Sequence, residues 1–469
     1  MTASGSGSTS QLRLWSHAGP EANGLRDPNF TGNKGMSIHR WVSWIAGFSA
    51  DFVNSVLDRY LGPDAVGRAC VLDPFAGVGT TNLEALRRGF HTCGFELNPF
   101  AALAARCKLG TARVDLDRLR GTIDRYRAFM LPVERQIDQW WTLSAPEGGP
   151  YSGPLPLAQP PEFFRARESF YSRPVELKVL FTLDFIRSIQ DIVIEEYFSL
   201  AVGSTMISYS NYSYEPSLCS RAKLGKPLVL NSSVCSIIAN KLEHVRQDIA
   251  ELVCHLKHLP VTPSADFFDC SFFEARNYLA AASIDLVITS PPYLNNYHYV
   301  RNTRPQLYWL GFVHRPRDLQ RFETQSFGKF WQTVREGRPI DLCFKLPSLE
   351  TQLAELRTLN VEKRVYGGAG WANYAASYFN DSYRFFQIVG ALLRPNGHAV
   401  VVVGNSLLQG VEFRVDEILA QIARLQRLDA DTERIRSKRV GDSIVGTGLR
   451  QKPRNGRPEL YEAAVVVRR

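Results

Sequence analysis

The sequence predicts an α/β fold built on a mostly parallel, doubly wound sheet, and three segments carry that prediction. Residues 71–73 form a short apolar strand that enters a glycine turn and then a helix at 82–88. Residues 284–289 form an apolar strand that leads into a pair of prolines. Residues 398–404 are an almost pure valine run, as expected of a parallel strand that is buried on both faces. Strands that alternate with helices predict a parallel sheet that is covered by helices.

The remaining elements are placed around these segments by their apolar spacing and turn residues. Gly89 ends the first sheet helix, and Pro99 is a typical first residue of the next one. Residues 41–61 have the spacing of an amphipathic helix that leads into the first strand. In chain order the elements are helix 41–61, strand 69–73, strand 91–96, helix 99–108, strand 265–269, strand 284–289, helix 371–393, turn 394–397, strand 398–404 and strand 460–467.

Two long segments interrupt this alternation and are predicted to be insertions. The stretch between the second and third strands is far longer than a crossover needs. It is irregular at 143–174, where Pro, Gly and aromatic residues are frequent, and helical at 175–256, where apolar residues recur at spacings of three and four. The predicted units are a disordered tail at 1–30, a sheet domain at 31–108, 261–293 and 371–469, a mostly helical insertion at 109–260, and a second insertion at 294–370.

The turn after the first strand carries residues that suit a ligand. Gly77 and Gly79 let the backbone approach a ligand closely, and Asp73 places a carboxylate at the strand end. A dinucleotide site needs a third glycine where this chain has Asn82, and the Gly-Lys-Ser/Thr of a P-loop does not follow. Glu96, at the end of the second strand, has two acceptor oxygens that match the vicinal hydroxyls of a ribose. Together the two acids and the glycine turn favour S-adenosylmethionine.

The fourth strand ends in the tetrapeptide Ser290-Pro291-Pro292-Tyr293. Consecutive prolines hold the chain extended and donate no backbone hydrogen bond. A sheet strand that ends in this way leaves carbonyl groups, a hydroxyl and an aromatic ring facing the cleft at the sheet edge. A planar base that bears an amino group requires such partners. For the tetrapeptide alone, a proline-rich turn without a function is the alternative.

With these motifs the chain resembles the class I, S-adenosylmethionine-dependent DNA methyltransferases that modify exocyclic amino groups. Residues 73–79 match the family's first motif, Glu96 the acid of the second, 269–271 the third, which contacts the cofactor's adenine, and 290–293 the catalytic fourth. The segment His39-Arg40-Trp41, with Gly47-Phe48-Ser49, resembles the family's methionine-binding motif. The cofactor-binding residues that the resemblance implies are Asp73, Pro74, Phe75, Ala76, Gly77, Gly79, Thr80, Glu96, Asn98, Asp269, Cys270 and Ser271.

The resemblance covers less than half of the chain, and it implies a fold as well as an activity. The implied fold is the Rossmann-like class I methyltransferase fold, a mostly parallel seven-stranded sheet, here with helical and irregular insertions. Either insertion could then serve target recognition. The implied partner is double-stranded DNA, and a cognate restriction or defence nuclease stays open as a second partner.

The tetrapeptide is the expected catalytic site. An amino nitrogen on cytosine or adenine shares its lone pair with the ring, so it must be polarised before it attacks the sulfonium methyl. The Ser290 hydroxyl and the Pro291 carbonyl are expected to accept the amino hydrogens, while Tyr293 stacks on a base that is flipped out of the duplex. Serine at 290 resembles the cytosine-N4 enzymes and favours N4 of cytosine over N6 of adenine. The motif order departs from that of many enzymes with this tetrapeptide and leaves the target base open.

Other activities are less well supported. Methylation at carbon 5 of cytosine needs a thiolate that is typically preceded by proline, and the sequence contains no Pro-Cys dipeptide. An RNA amino-methyltransferase would be expected to carry Asn or Asp in place of Ser290, and a non-enzymatic DNA-binding protein would be expected to show damage in the first or fourth motif. His298 lies close to the tetrapeptide, but the amino group needs no strong base. Tyr297 or Tyr299 is available for stacking.

Three further segments suit contacts to DNA. The chain has 55 Lys and Arg against 46 Asp and Glu, a net charge of +9. Basic residues concentrate at 434–457, where glycines predict a mobile loop that can follow phosphates, and a smaller basic cluster consists of Arg315, Arg317 and Arg321. The polar, aromatic run at 204–214 suits phosphates and unstacked bases, or else forms a buried helix end.

Composition is that of an intracellular enzyme. The sequence has 45% hydrophobic residues, but it shows no apolar run of membrane-spanning length and no apolar core of a signal peptide, so a cytoplasmic location is expected. The 8 cysteines include no close pair, and neither a disulfide framework nor a metal site is expected.

Overall fold

The computed structural model describes residues 25–44, 47, 49–143, 149–215, 217–294, 299–438 and 459–469. The strands are β1 (Cys70–Asp73), β2 (His91–Phe95), β3 (Tyr212–Tyr214), β4 (Leu218–Ser220), β5 (Ala265–Phe268), β6 (Ile284–Thr289), β7 (Leu393–Gly404), β8 (Ser406–Leu408), β9 (Val411–Phe413), β10 (Asp429–Lys438) and β11 (Leu460–Arg468). The α-helices are α1 (Ala50–Tyr60), α2 (Thr80–Arg87), α3 (Pro99–Leu109), α4 (Leu116–Leu143), α5 (Arg173–Arg187), α6 (Ile192–Thr205), α7 (Val234–Lys257), α8 (Tyr299–Asn302), α9 (Arg304–Trp309), α10 (Pro316–Gln325), α11 (Trp331–Val334), α12 (Pro347–Arg357), α13 (Gly368–Leu392) and α14 (Val415–Leu425).

The central sheet has seven strands in the order β10-β11-β7-β6-β1-β2-β5. Strand β1 is parallel to β2 and β6, β2 is parallel to β5, and β6 is parallel to β7. Only the β11 pairings, with β7 and β10, are antiparallel in this sheet as described. The prediction of a mostly parallel seven-stranded α/β sheet is confirmed, and this is a class I methyltransferase fold. The strand order reverses beside β1, so the carboxyl ends of β1 and β6 flank the switch point where such sheets bind ligands.

The helix predicted for 41–61 is wrong in its first half. Helix α1 begins at Ala50, because the Ser49 side chain accepts a hydrogen bond from the Phe52 amide and caps it. Residues His39–Trp41 form one short 3-10 turn instead. The side chains of His39 and Trp41 are buried against other helices, which fixes an irregular backbone where local spacing favoured a helix.

Two further differences occur on the carboxyl-terminal side of the sheet. The turn predicted at 394–397 lies inside β7 as a bulge, where the register jumps from Ile284 opposite Leu393 to Leu286 opposite His398. Part of the basic segment at 434–457, predicted as a mobile loop, belongs to β10, which pairs with β11 along its length. Residues 439–458 lie outside the described residues.

The insertions pack as helices on either side of the sheet domain. The apolar stripe of α7, which includes Ile238, Leu242 and Ile249, is buried as predicted, in a cluster that α3 and α4 share. The described residues 149–172 form neither helix nor strand, as their Pro and Gly content predicted. A β3-β4 hairpin interrupts the stretch predicted to be helical. In the second insertion, α12 packs against α13.

Only the end of the predicted tail is described. Phe30, at its last position, is 5% exposed and packs as part of the core. The division into tail, sheet domain and insertions stays a prediction. Among the described helices, none has the length and apolar character needed to cross a membrane.

Candidate active site

A cavity of about 130 Å³ lies at the carboxyl ends of β1, β2 and β6, and we call it the first cavity. It brings together most of the residues that the sequence singled out, although they come from distant parts of the chain. The predicted site residues that line it are Asp73, Pro74, Phe75, Ala76, Gly77, Thr80, Glu96, Asn98, Cys270, Ser271, Ser290 and Pro292. Gly79, Asp269, Pro291 and Tyr293 do not line it.

Asp73 ends β1 and is buried at the floor of the first cavity. Its Oδ1 accepts a hydrogen bond from the Thr289 hydroxyl at 2.7 Å and from the Phe75 amide at 3.0 Å. These bonds tie the end of β1 to the end of β6, next to the tetrapeptide. Burial raises the pKa of Asp73 to about 6, and hydrogen bonds from Thr289, Thr81 and the Phe75 amide oppose this rise only in part.

Glu96 follows β2 and faces the same cavity. Its Oε2 accepts a hydrogen bond from the Gly77 amide at 2.9 Å, and its Oε1 accepts one from the Asn98 amide at 2.6 Å. Each carboxylate oxygen has a second acceptor position, so both oxygens can still bind hydroxyl groups. Burial, with a smaller contribution from the charge of Asp73, raises the pKa of Glu96 to about 7. A cationic ligand that carries hydroxyl groups would therefore stabilise both ionised acids.

The glycine turn between β1 and α2 has the backbone shape that the sequence predicted. Gly77 and Gly79 have φ values of 51° and 78°, in the left-handed region that favours glycine. A side chain on Gly79 would also meet Ala105 of α3 at 3.0 Å, so this glycine allows close helix packing. Thr80 lines the cavity at the start of α2, and its buried hydroxyl has no hydrogen-bond partner among the described residues.

Part of the tetrapeptide lines the first cavity, and part of it is hydrogen-bonded to the sheet. Ser290 lines the cavity, and its hydroxyl donates a hydrogen bond to the Val402 carbonyl of β7 at 3.1 Å. The Tyr293 hydroxyl donates to Glu462 Oε1 of β11 at 2.8 Å, and Glu462 Oε2 accepts from Arg436 Nε of β10 at 2.7 Å. Burial and the Glu462 carboxylate raise the pKa of Tyr293 far above its usual range, so this phenol remains a neutral donor.

The amino-terminal segment reaches the cavity because two buried acids hold it. His39 Nε2 lies 2.8 Å from Glu84 Oε1 of α2, and the Trp41 indole donates to Asp248 of α7 at 2.9 Å. These anchors bring Trp44 and Gly47 into the lining of the first cavity. Gly47 belongs to the segment that resembles a methionine-binding motif, whereas Phe48 lies outside the described residues.

The second insertion supplies an aromatic wall that the sequence analysis missed. Phe322, Phe327 and Phe330 line the cavity opposite the glycine turn. The Gly328 amide donates to Asp381 of α13 at 2.9 Å, which fixes the loop that carries Phe327 and Phe330 after α10. The close spacing of phenylalanines between 322 and 330 was the available signal, but the spacing does not show which cavity they face.

Only part of the predicted third motif, residues 269–271, lines the first cavity. Cys270 and Ser271 line the cavity, and the Ser271 hydroxyl donates to the Gln325 carbonyl at 3.3 Å. Asp269 is exposed and forms an ion pair with Arg106 of α3. Its predicted contact with a cofactor stays a prediction. Tyr297 and His298 lie outside the described residues.

Two basic residues of β10, Arg434 and Arg436, make internal ion pairs. Arg436 bonds Glu462 and lies 3.2 Å from Asp27, while Arg434 lies 3.4 Å from Glu459 and over the Tyr461 ring. Their charges are thus partly compensated, and the predicted phosphate contacts of the segment rest on residues 439–457, outside the described part.

In the polar run at 204–214, Tyr209, Ser210 and Asn211 are buried, which favours the helix-end interpretation for those three residues.

No family model matches the chain. Curated relatives are type II methyltransferases. M.BsoBI of Geobacillus stearothermophilus is 26% identical over 294 residues, which cover 60% of this chain and 54% of that relative. M.AvaI, from Nostoc sp. strain PCC 7120 and from Anabaena variabilis, is 21% identical over 455 residues, which cover 94% of this chain and 88% of that relative. The first of these alignments thus spans about half the length of its relative.

Proposed function

We propose that this protein is a site-specific DNA methyltransferase that transfers a methyl group from S-adenosylmethionine to an exocyclic amino group. The similarity to type II methyltransferases supports the reaction class, and the class I fold supports the cofactor. The observation that carries the proposal is that Asp73, Glu96 and Ser290 line one cavity. A methyl donor and a methyl acceptor can therefore share a single space.

The chemistry of the first cavity fits S-adenosylmethionine. The cofactor brings a positive sulfonium and an amino group, which stabilise ionised acids whose pKa values burial has raised. In this proposal Glu96 binds the ribose hydroxyls, and the open glycine turn accommodates the backbone of the ligand. Phe327 and Phe330 provide flat apolar surface for the adenine. When bound, the cofactor supplies an electrophilic methyl group.

The acceptor side of the proposal rests on Ser290. Because the Ser290 hydroxyl donates its hydrogen to Val402, its oxygen lone pairs are available to accept an amino hydrogen. In the proposal the Pro291 carbonyl accepts the second amino hydrogen, and the nitrogen becomes more pyramidal and nucleophilic. The Tyr293 hydroxyl is bound to Glu462. The Tyr293 ring must therefore move away from its present contacts before it can stack on the base.

Cytosine N4 is the proposed target. This choice rests on serine at 290, by resemblance to the cytosine-N4 enzymes. Adenine N6 is the alternative, because the unusual motif order leaves the target base open. We further propose that double-stranded DNA is the substrate, that the base is flipped into the first cavity, and that the enzyme acts in the cytoplasm as part of a restriction-modification or defence pair.

Ser290→Ala tests the acceptor role. The substitution should lower the rate of methyl transfer about 100-fold, because one polarising partner is lost at the reacting nitrogen, and should leave S-adenosylmethionine affinity within about twofold. Ser283→Ala, which changes a serine just before the same strand, is the matched control. Sequencing of modified bases in DNA from cells that express each form identifies the base and the site. If the DNA of cells that express the unsubstituted protein carries no modified base, the proposed function is contradicted. Full activity of Ser290→Ala would contradict the role of Ser290.

A further inference from the structure

A second cavity, of about 140 Å³, lies beside the first. Trp44 and Tyr299 line both cavities, and their rings are stacked with centroids 6.3 Å apart and planes inclined by 13°. The stacked pair therefore forms the wall between them. A single buried water needs about 10–15 Å³, so the second cavity has room for a ring-sized ligand.

The lining of the second cavity has a different chemistry from that of the first. The described residues that line it include no charged side chain. Trp44, Phe100 and Ile207 give it flat and apolar surface, while amide and hydroxyl groups lie at its edges. Since burying an unpaired charge is costly, this lining disfavours phosphates, carboxylates and the cationic cofactor. It suits a neutral, planar heterocycle with polar edges.

One buried group in this lining lacks a partner among the described residues. Gln306 of α9 is 4% exposed, and its Nε2 donates to the Gly203 carbonyl at 3.2 Å and to the Tyr214 hydroxyl at 3.4 Å. Its Oε1 accepts no hydrogen bond from the part of the chain that the structure describes. A buried acceptor without a partner costs stability, so it favours a ligand that donates an N–H group. Amino-bearing bases present such a donor on their pairing edge.

The second cavity also contains residues from the polar, aromatic run at 204–214. Ser204, Ile207 and Tyr214 line it, whereas the buried Tyr209 does not. The run therefore divides into a part that forms the helix end and a part that faces the cavity. The latter carries the hydroxyls and the ring that suit an unstacked base.

We propose that the second cavity binds an unstacked, amino-bearing nucleobase of the DNA substrate, distinct from the base that is methylated. This inference rests on the proposed function. The methylated base belongs in the first cavity, because Ser290 and Pro292 line that cavity and the Trp44–Tyr299 wall separates it from the second. A base held in the second cavity would anchor the opened DNA while its neighbour or former pairing partner reacts.

Filling the second cavity tests the proposal. Ile207→Trp places a large ring in the cavity, and Ser208→Trp, at the exposed next position, is the matched control. The probe is a duplex oligonucleotide that carries the methylated site found by sequencing. We expect Ile207→Trp to weaken duplex binding at least tenfold, while S-adenosylmethionine affinity stays within twofold. Equal duplex affinity for the two variants would overturn the proposal.

Two further measurements keep this test decisive. If Ile207→Trp does not fold, as judged by its melting temperature and cofactor affinity, Ser204→Leu narrows the same cavity and should weaken duplex binding in the same direction. Photo-crosslinking with a duplex that carries 5-iodocytosine at one position at a time should label Tyr214 or Trp44 from a base other than the methylated one. Labelling from the methylated base alone would overturn the proposal.

Free nucleosides separate this inference from the proposed function. Cytidine and adenosine should bind weakly in saturation-transfer NMR, and some of that signal should come from the first cavity. Ile207→Trp should lower the signal relative to Ser208→Trp, even if the protein does not methylate DNA. Loss of nucleoside binding with unchanged duplex binding would assign the cavity to a free nucleoside and overturn the DNA inference. Absence of both methyl transfer and cofactor binding, with nucleoside binding kept, would overturn the proposed function instead.

Discussion

The two cavities share one wall and differ in charge. The first holds the carboxylates of Asp73 and Glu96, whose pKa values burial raises, and the second, as far as it is described, holds none. Both include flat aromatic surface from Trp44 and Tyr299. The same two rings therefore line both cavities. The other polar groups of each cavity determine which ligand it suits.

In the proposed function, this difference separates the cofactor and the reacting base from a second base of the DNA. Desolvated acids favour a cation with hydroxyl groups, whereas an uncharged lining favours a neutral heterocycle. The sheet places the acids, because both follow strands whose carboxyl ends meet at the switch point. Elements of the two insertions, α6, β3, α8 and α9, line much of the second cavity, together with the segment at 42–44 and Phe100 of α3.

The largest effect is expected from Glu96→Ala. The substitution removes both acceptor oxygens that face the proposed ribose, and hydrogen bonds to charged groups are worth about 1.5–3 kcal/mol. Calorimetry should therefore show S-adenosylmethionine affinity about 10- to 100-fold weaker. Glu96→Gln keeps one acceptor oxygen and should give an intermediate affinity. Nucleoside binding in the second cavity should be unchanged, and a loss of both would contradict the separation of the two cavities.

In the unsubstituted protein, we expect a smaller change in cofactor affinity when the pH changes. Since the pKa of Glu96 is raised to about 7 from the usual 4.5, its carboxyl is mostly protonated at pH 6 and mostly ionised at pH 8. S-adenosylmethionine should bind more tightly at pH 8, by at most about tenfold. A pH-independent cofactor affinity would contradict the raised pKa. Nucleoside binding in the uncharged second cavity should not follow this change.

The same carboxyl makes the ligand-free fold less stable as pH rises. A raised pKa means that the folded state holds a proton that the unfolded state has released, so the contribution to stability is full below about pH 4.5 and is lost as pH passes through about 7. Glu96→Gln removes this loss. Its melting temperature without cofactor should therefore exceed that of the wild type at pH 8 and approach it at pH 5.

The sheet and the glycine turn after β1 could be predicted because their signals are local. A valine run, a strand that enters Gly77 and Gly79, and Glu96 at the next strand end are each visible within a few residues. The edge strand β10 was missed because its sequence alternates charges, among them Asp429, Asp431 and Glu433, which edge strands use against aggregation. Such a strand is hard to distinguish from a solvated loop.

The walls of the two cavities could not be predicted, because they arise from contacts between distant segments. Trp44 reaches the site only because Asp248 and Glu84 hold the segment before it, and these acids belong to helices far along the chain. Phe327 faces the first cavity because its loop is bound to α13. Glu462 is 169 residues from Tyr293, and its sequence neighbours give no sign of the hydrogen bond between them.

The smallest effect is expected when the hydrogen bond between Glu462 and Tyr293 is removed. Glu462, 5% exposed on β11, joins the Tyr293 hydroxyl to Arg436, so it positions the tetrapeptide from the sheet side and is not among the described residues that line either cavity. Glu462→Gln should lower kcat severalfold with little change in cofactor or nucleoside affinity, because only the acceptor end of the first cavity is disturbed. In a Tyr293→Phe background, which already lacks the bond, the same substitution should add almost nothing to the loss of kcat. Additive losses in the double variant would show that Glu462 acts through the sheet rather than through Tyr293.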